Sequence, residues 1–419
     1  MSKFKCSFTS LFLLSAIVLT GCGSGGGGGG GSSSSSSSGG GGTAASTGSL
    51  IDSPVAGISY QTATQNGVTD GQGNYNYLPG ETVTFMIGGT KLFSAPATGV
   101  VNPQDAIGFD GTMALNLARL LQSLDKDGFP GNGIELASGL TGLPANLFTG
   151  GNFDADASAF LTQANLAGHI PSATLVSGVD AQAHLDNMNS IVGSWYGTNL
   201  GQANSTVAIT FLANGTYLMA EDGNPNLDPT GQDGMELGTY TYNSATGAFS
   251  NPCPTVDTNG QWGLSHEFPP NCSGSHFTVT ISGNTATFTN SSNSSDSFVL
   301  TRVVDATKPL VGSWYLPIGP GSNTTAVITF MSNGRYMMAE AGTTVGAGHS
   351  GMELGTYTYN SATGAFSNPC PSVDTSGDWG LSHQNPPSCS GSQFTVTISG
   401  NTATFTELGG SFALTRVVP

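Results

Sequence analysis

The second half of the chain is written twice. Gly193-Ser194-Trp195-Tyr196 recurs as Gly312-Ser313-Trp314-Tyr315, Gly234 to Pro254 reappears unchanged as Gly351 to Pro371, and Phe277 to Thr289 reappears unchanged as Phe394 to Thr406. Both copies close alike, at Leu300-Thr301-Arg302 and Leu414-Thr415-Arg416. Whatever one copy folds into, the other must fold into as well. The copies are expected to span residues 191–304 and 310–419.

Each copy reads as short strands joined by tight turns. Val207, Ile209 and Phe211 alternate with other residues before an Asn214-Gly215 turn, and Tyr217 and Met219 follow. Leu237 to Tyr242, then Phe277, Val279 and Ile281, a Gly283-Asn284 turn, Ala286 with Phe288, and Phe298 to Val303 continue the series. Period-2 alternation between turn residues is the mark of half-buried strands. Hairpins in series predict an up-and-down antiparallel sheet, and closing it into a barrel removes both exposed edges.

Four cysteines fall within the copies and permit three pairings. The duplication selects among them. Cys253 and Cys272 lie in one copy with the same separation as Cys370 and Cys389 in the other, so a bridge within each copy is expected. Closing a loop of about twenty residues stabilises by roughly 3 kcal/mol in the loop-entropy picture. Neither copy has the C-x-x-C spacing of a metal site.

Upstream, Val55 to Tyr60, Gly73 to Tyr77 and Thr82 to Ile87 are β-prone runs broken at Asn66-Gly67, Asp70-Gly71, Pro79-Gly80 and Gly88-Gly89. This predicts a β-sandwich-like module over 49–100. A helical segment is predicted over 101–190. Met113, Leu117, Leu120, Leu121 and Leu124 recur at helical spacing behind a cap at Asp110 or Thr112. Further helices are expected near Ala155 to Leu166 and Asp180 to Met188, the last with Ala181, Leu185 and Met188 on one face. The fold class is therefore mainly β: a small sandwich and a helical segment, then two duplicated antiparallel barrels.

The start of the chain speaks to its address. Two lysines within Met1 to Lys5 precede an uncharged apolar stretch from Phe8 to Leu19, the order of a secretory signal over residues 1–21. Leu19-Thr20-Gly21-Cys22 resembles the lipobox of bacterial lipoproteins. That resemblance implies cleavage before Cys22, acylation of its sulfur and amine, and a membrane anchor through several acyl chains, each buried methylene giving about 0.8 kcal/mol. Gly23 in place of aspartate implies sorting to the outer membrane. Residues 22–48 are nearly all Gly, Ser and Thr and behave as a flexible tether of roughly 25–30 Å root-mean-square reach. The net charge of −17, with nine Lys plus Arg, makes nucleic acid and anionic lipid surfaces poor partners.

Two further resemblances concern the folded part. Asp52 to Tyr60, Thr69 to Tyr75 and Gly80 to Val83 resemble the carboxypeptidase-regulatory-like (prealbumin-like) modules of bacterial surface proteins, which serve as spacers or binding platforms. Gly193, Trp195 and Arg302, with Gly312, Trp314 and Arg416, resemble the signature of calycins. In that family an arginine of the last strand packs across a tryptophan of the first. Phe211 to Tyr217 is similar to bacterial lipocalin-like domains.

Candidate chemistry is sparse. No H-E-x-x-H helix, Gly-x-Ser-x-Gly elbow or Walker loop occurs. Trp262 with His266, and Trp379 with His383, would sit in the stapled loops as ligand contacts, against the plainer reading that the histidines serve the loop or face water. Ser265 and Ser382 adjoin them, but neighbours on an extended strand face opposite sides. Glu221 shares parity with Tyr217 and Met219, and Glu236 with Tyr240 and Tyr242; Glu340 and Glu353 correspond in the second copy. Four carboxylates would thus approach the barrel interiors if the aromatic faces point inward, and would otherwise lie in water at strand ends. Asp125-Lys126-Asp127-Gly128, followed by Asn132, resembles part of a calcium loop, although Phe129 and Pro130 stand where an EF-hand needs an oxygen donor and a glycine. A helix-ending turn is the reading preferred to a calcium site, and no other cofactor is expected.

These features favour a non-enzymatic binding or adhesive protein tethered to the outer membrane, its partner an unspecified protein, glycan or small molecule. Lipocalin-type capture of a small ligand inside each barrel is the alternative, and hydrolysis on the stapled loop a weaker one.

Overall fold

Ten strands of each copy hydrogen-bond into one antiparallel sheet. A computed structural model describes residues 44–188, 190–198, 205–223, 233–259, 263–264, 275–292, 297–316, 324–342, 350–375, 380–381, 391–407 and 410–418. In the first copy Gly193–Thr198, Thr206–Phe211, Thr216–Asp222 and Gly234–Thr239 pair in sequence order. Thr241–Asn243, Ala248–Asn251, Ser275–Ser282, Thr285–Asn290 and Ser297–Arg302 continue the meander. The last strand returns to the first, with Trp195 opposite Arg302. Val256–Asp257 adds an edge beside Gly234–Thr239.

The sheet curls strongly because Gly234–Thr239 and Thr241–Asn243 are separated by Tyr240 alone, yet pair with opposite ends of the meander. Tyr240 is pinned at this bend. Its amide donates to the Gly215 carbonyl at 2.8 Å, and its hydroxyl to the Leu212 carbonyl at 2.8 Å. Tyr357 makes the same two bonds, to Gly334 at 2.8 Å and Met331 at 2.9 Å, in the second copy. That copy runs from Gly312–Leu316 to Gly410–Arg416 in the same strand order, with Trp314 opposite Arg416.

The concave faces are filled. Trp195, Ile209, Phe211, Tyr217, Phe249, Phe277, Phe288 and Leu300 form one core, with neighbouring phenylalanine and tyrosine ring centroids from 5.5 to 6.3 Å apart. Trp314, Ile328, Phe330, Tyr336, Phe366, Phe394, Phe405 and Leu414 repeat it. Aromatic rings at these separations pack edge-to-face or offset, with large apolar area removed from water.

One expectation changes here. Residues 206–211 read as a strand with one apolar face, but all six are buried. The face that alternation assigns to solvent packs against the other copy: Ala208, Leu218, Ala220 and Met235 meet Val327, Met337, Ala339 and Met352. These are equivalent positions, so the two sheets join through the same surface of each. Their seam holds a hydroxyl chain. Thr210 Oγ1 donates to Ser313 Oγ at 2.8 Å, Ser313 Oγ lies 2.7 Å from Thr329 Oγ1, and the Ser313 amide donates to Ser194 Oγ at 2.8 Å.

The N-terminal region builds small sheets. Ser46–Leu50 lies between Asn74–Tyr77, antiparallel, and Val100–Val101, parallel. Ser59–Gln61, Asn66–Val68, Thr82–Ile87 and Thr90–Pro96 form a second sheet. Gly88 and Gly89 join Ile87 to Thr90 with φ of +56° and +79°, the left-handed pair that a two-residue hairpin requires. Asn66-Gly67, expected as a turn, is strand instead. The turn falls just before it, where the amides of Gln65 and Thr64 donate to Thr62 Oγ1 at 2.9 and 3.3 Å.

Three helices follow. α1 (Gly111–Ser123) starts on Asp110, whose carboxylate accepts the Met113 amide at 2.8 Å, satisfying one of the donors a helix start leaves open. α2 (Phe153–Leu166) buries Ala157, Phe160, Leu161 and Ala164, and α3 (Gly178–Met188) buries Ala181, Leu185 and Met188. Leu117, Leu120, Leu121 and Leu124 share one hydrophobic cluster with Val55, Tyr75, Phe85 and Phe93, so strands and helices 1 and 2 close over a common core.

Candidate functional site

The first and last strands of each copy meet at a buried cation–π pair. Arg302 lies 4.2 Å from the Trp195 ring centroid, and Arg416 4.2 Å from that of Trp314. Each guanidinium also ties down the chain entering its sheet. Arg302 donates to the Val192 and Ser190 carbonyls at 3.0 Å, and Arg416 to Val311 at 3.0 Å and to Pro309. The indoles donate to Ile191 at 2.7 Å and Leu310 at 2.8 Å. Burial pushes both guanidinium pKa values down to about 10. Gly193 and Gly312 precede the tryptophans at φ of +125° and +121°, where a side chain would be strained. This arrangement is structural: it joins the last strand to the first and anchors the approach segment.

The four carboxylates face the interiors and not water. Glu236 and Glu353 are 0 % exposed, and Glu221 and Glu340 are 4 % exposed. Tyr217 Oη donates to Glu236 at 3.0 Å, and Tyr336 Oη to Glu353 at 2.7 Å. A backbone amide completes each pair, from Leu264 at 3.2 Å and from Leu381 at 2.7 Å, and both leucines join the cores. Gly263, at φ +112°, approaches so closely that an added Cβ would lie 2.2 Å from Glu236 Oε1. The glutamates therefore fasten the segments carrying Leu264 and Leu381 to the sheet. Burial, and then the neighbouring glutamate charge, raises the tyrosine pKa values. Burial pushes Glu221 up to about 8 and Glu340 to about 7.

The copies differ at one partner. Asn259 Nδ2 donates to Glu221 at 3.1 Å. The corresponding position is Ser376, outside the described residues, and Glu340 Oε2 is buried with no partner among those described. Trp262, His266, Trp379, His383, Cys272, Cys389 and Cys22 also lie outside the described residues.

Sequence reading missed a polar cluster between the first strands and α3. Ser53 Oγ lies 3.1 Å from His184 Nε2, which is also 3.1 Å from the Asp52 carbonyl. Ser53 carries φ +58°, and its hydroxyl reaches Met188 Sδ at 3.4 Å. The Asp52 carboxylate accepts from Gln122 at 3.0 Å, so it does not orient the imidazole as the third member of a nucleophilic triad would. Ser53 is 2 % exposed and borders a cavity of about 20 Å³, room for a water. Burial raises Asp52 well above the usual carboxylate range and lowers His184. Nothing local announces this cluster, because Ser53 and His184 are 131 residues apart.

Asp125 follows α1 directly and opens a tight loop. Its two carboxylate oxygens accept the Phe129 amide at 2.6 Å and the Glu135 amide at 2.9 Å. Asp127 accepts the Phe129 amide at 2.9 Å and Asn132 Nδ2 at 2.9 Å. Burial, with Asp127 beside it, pushes Asp125 up to about 8. Among the described residues no three or more His, Cys, Asp and Glu side chains gather into a metal-holding group.

No protein-family model and no curated protein matches the chain. Among solved structures, DNA polymerase III β sliding clamps give alignments. The clamp of Bartonella birtlesii aligns at 7 % identity over 54 % of this chain and 56 % of its own, with a TM-score of 0.11. That of Thermotoga maritima aligns at 9 % over 55 % and 57 %, with a TM-score of 0.10. The chain thus spans a little over half the length of those clamps. Likeness at these scores carries no argument about fold or activity.

Proposed function

We propose that the protein is a lipid-anchored outer-membrane protein with a non-enzymatic binding or adhesive role. In this reading two lipocalin-like barrels and a carboxypeptidase-regulatory-like module are held out on the glycine/serine tether from acylated Cys22. The observation that carries the binding role is the filled interior of each curled sheet. Aromatic rings from Phe211 to Phe298, and from Phe330 to Phe412, occupy the space in which a lipocalin would hold a small ligand. The polar groups that reach inward, Glu236 and Glu353, are spent on tyrosine hydroxyls and loop amides. A plugged interior shifts recognition to the outer surface and loops. Two near-identical copies on one leash would then raise apparent affinity for a multivalent partner.

Two measurements test this. In detergent phase partitioning of the expressed chain, the wild type should enter the detergent phase and Cys22→Ser the aqueous phase. Titration of the Cys22→Ser protein with a fluorescent fatty acid should give no saturable binding, whereas surface-immobilised glycans or matrix proteins should retain it. Stoichiometric uptake of the fatty acid, one per copy, would replace this reading with ligand capture.

A further inference from the structure

We propose that the small cavity bordered by Arg302 and Arg416, where the two copies meet the N-terminal region, binds one monatomic anion, with chloride the best fit. The cavity measures about 20 Å³. Arg302 and Val303 of the first copy line it together with Arg416 and Val417, the equivalent residues of the second. Ser53 and Met188 cover it from the N-terminal region.

Two buried cations share this space without a counter-ion. Arg302 and Arg416 are 7 % and 5 % exposed, and among the described residues neither forms an ion pair. Each guanidinium spends its Nη atoms on carbonyls and lies over a tryptophan ring, while each Nε is buried with no partner. The head of Arg416 stands at the cavity wall: a Cβ added to Gly312, another lining residue, would lie 3.4 Å from Arg416 Nη1. No Asp or Glu is among the described residues that line the cavity, and Asp127 acts on Arg416 only through space.

Neutral carbonyls and rings spread a buried charge but do not cancel it. An ion taken from water without an opposite charge loses its hydration for little return. Two guanidiniums beside one small cavity also repel each other. A single anion between them offsets both costs, and it accepts charge-assisted hydrogen bonds, which are stronger than neutral ones.

The volume admits one water-sized species, which rules out sulfate, phosphate and carboxylates. The rival occupant is a water. It could accept from the arginines and donate to Asn132 Oδ1, a buried acceptor of a lining residue that has no partner. That oxygen favours water, but the two uncompensated charges weigh more. Attraction between an anion and two buried cations exceeds the net value of one neutral hydrogen bond. Bound there, the ion ties both copies to the N-terminal region and so acts on the stability of that junction.

Thermal unfolding of the Cys22→Ser protein in sodium chloride, bromide and sulfate at equal ionic strength tests the site. Sulfate ordinarily stabilises folded proteins more than halides do. The reverse is expected here: a midpoint higher in chloride and bromide than in sulfate, rising with halide concentration as binding to the folded state demands. Crystals grown from bromide should show an anomalous peak between Arg302 and Arg416. The ordinary order, with sulfate highest at every concentration, would overturn the proposal. So would density without anomalous signal at that place, which would assign the cavity to water.

Discussion

Arg302 stacks 4.2 Å from Trp195 while donating to the carbonyls of Val192 and Ser190, so one side chain joins the last strand, the first strand and the segment leaving α3. Arg302→Ala would strip those carbonyls of their donor and the ring of its cover. A loss of about 3 kcal/mol in denaturant unfolding is expected. Arg302→Lys should restore less than half of it, because an ammonium cannot fork between two carbonyls while lying flat on an indole. Full rescue by lysine would show that only the charge matters.

The buried glutamates make stability fall as pH rises. Glu221 is pushed up to about 8 in the fold, well above its unfolded value near 4.5. The folded chain therefore binds the extra proton between those two values. Its contribution is fully present below about pH 4.5 and is lost through pH 8, with a limiting slope of about 1.4 kcal/mol per pH unit. Glu221→Gln should flatten that part of the profile relative to the wild type. Parallel profiles would mean that the carboxyl is ionised throughout.

Met235 and Met352 are 0 % exposed at the seam between the copies. Met235→Ala should cost about 2–5 kcal/mol, as cavity-forming substitutions do. The seam draws equally on both sheets, so hydrogen exchange should quicken in residues 324–342 as well as in the mutated copy. Quickening confined to the first copy would show that the two fold independently.

Peptide mapping of the secreted protein should recover Cys253 linked to Cys272 and Cys370 linked to Cys389. Reduction should lower stability by roughly 3 kcal/mol per bridge. Free thiols, or bridges running between copies, would reassign the pairing.

Much of the architecture was legible because it is local. Leu117, Leu120, Leu121 and Leu124 show the buried stripe of α1 by spacing alone, and of the two caps expected, Asp110 and Thr112, the structure uses Asp110. Gly88-Gly89 marks the break after Ile87, since glycine carries no steric penalty at the two successive positive φ values found there. The candidate site was legible only in part. Parity placed Glu221 with Tyr217 and Met219, and Glu236 with Tyr240 and Tyr242, but could not decide between interior and strand end. The interior won because Tyr217 and the Leu264 amide supply the hydrogen bonds that a buried carboxylate needs. Ser53 and His184 left no trace, since a contact across 131 residues has no period.

Taken alone, the sequence determined that the sheet occurs twice, where its turns fall and which residues alternate, because backbone geometry imposes those patterns within a few residues. Tertiary structure decided that residues 206–211 are buried on both faces, that Glu236 and Glu353 hold loops in place, and that Ser53 meets His184. An apolar or polar letter states what a position can tolerate. What lies opposite it depends on distant chain arriving there, and only packing supplies that.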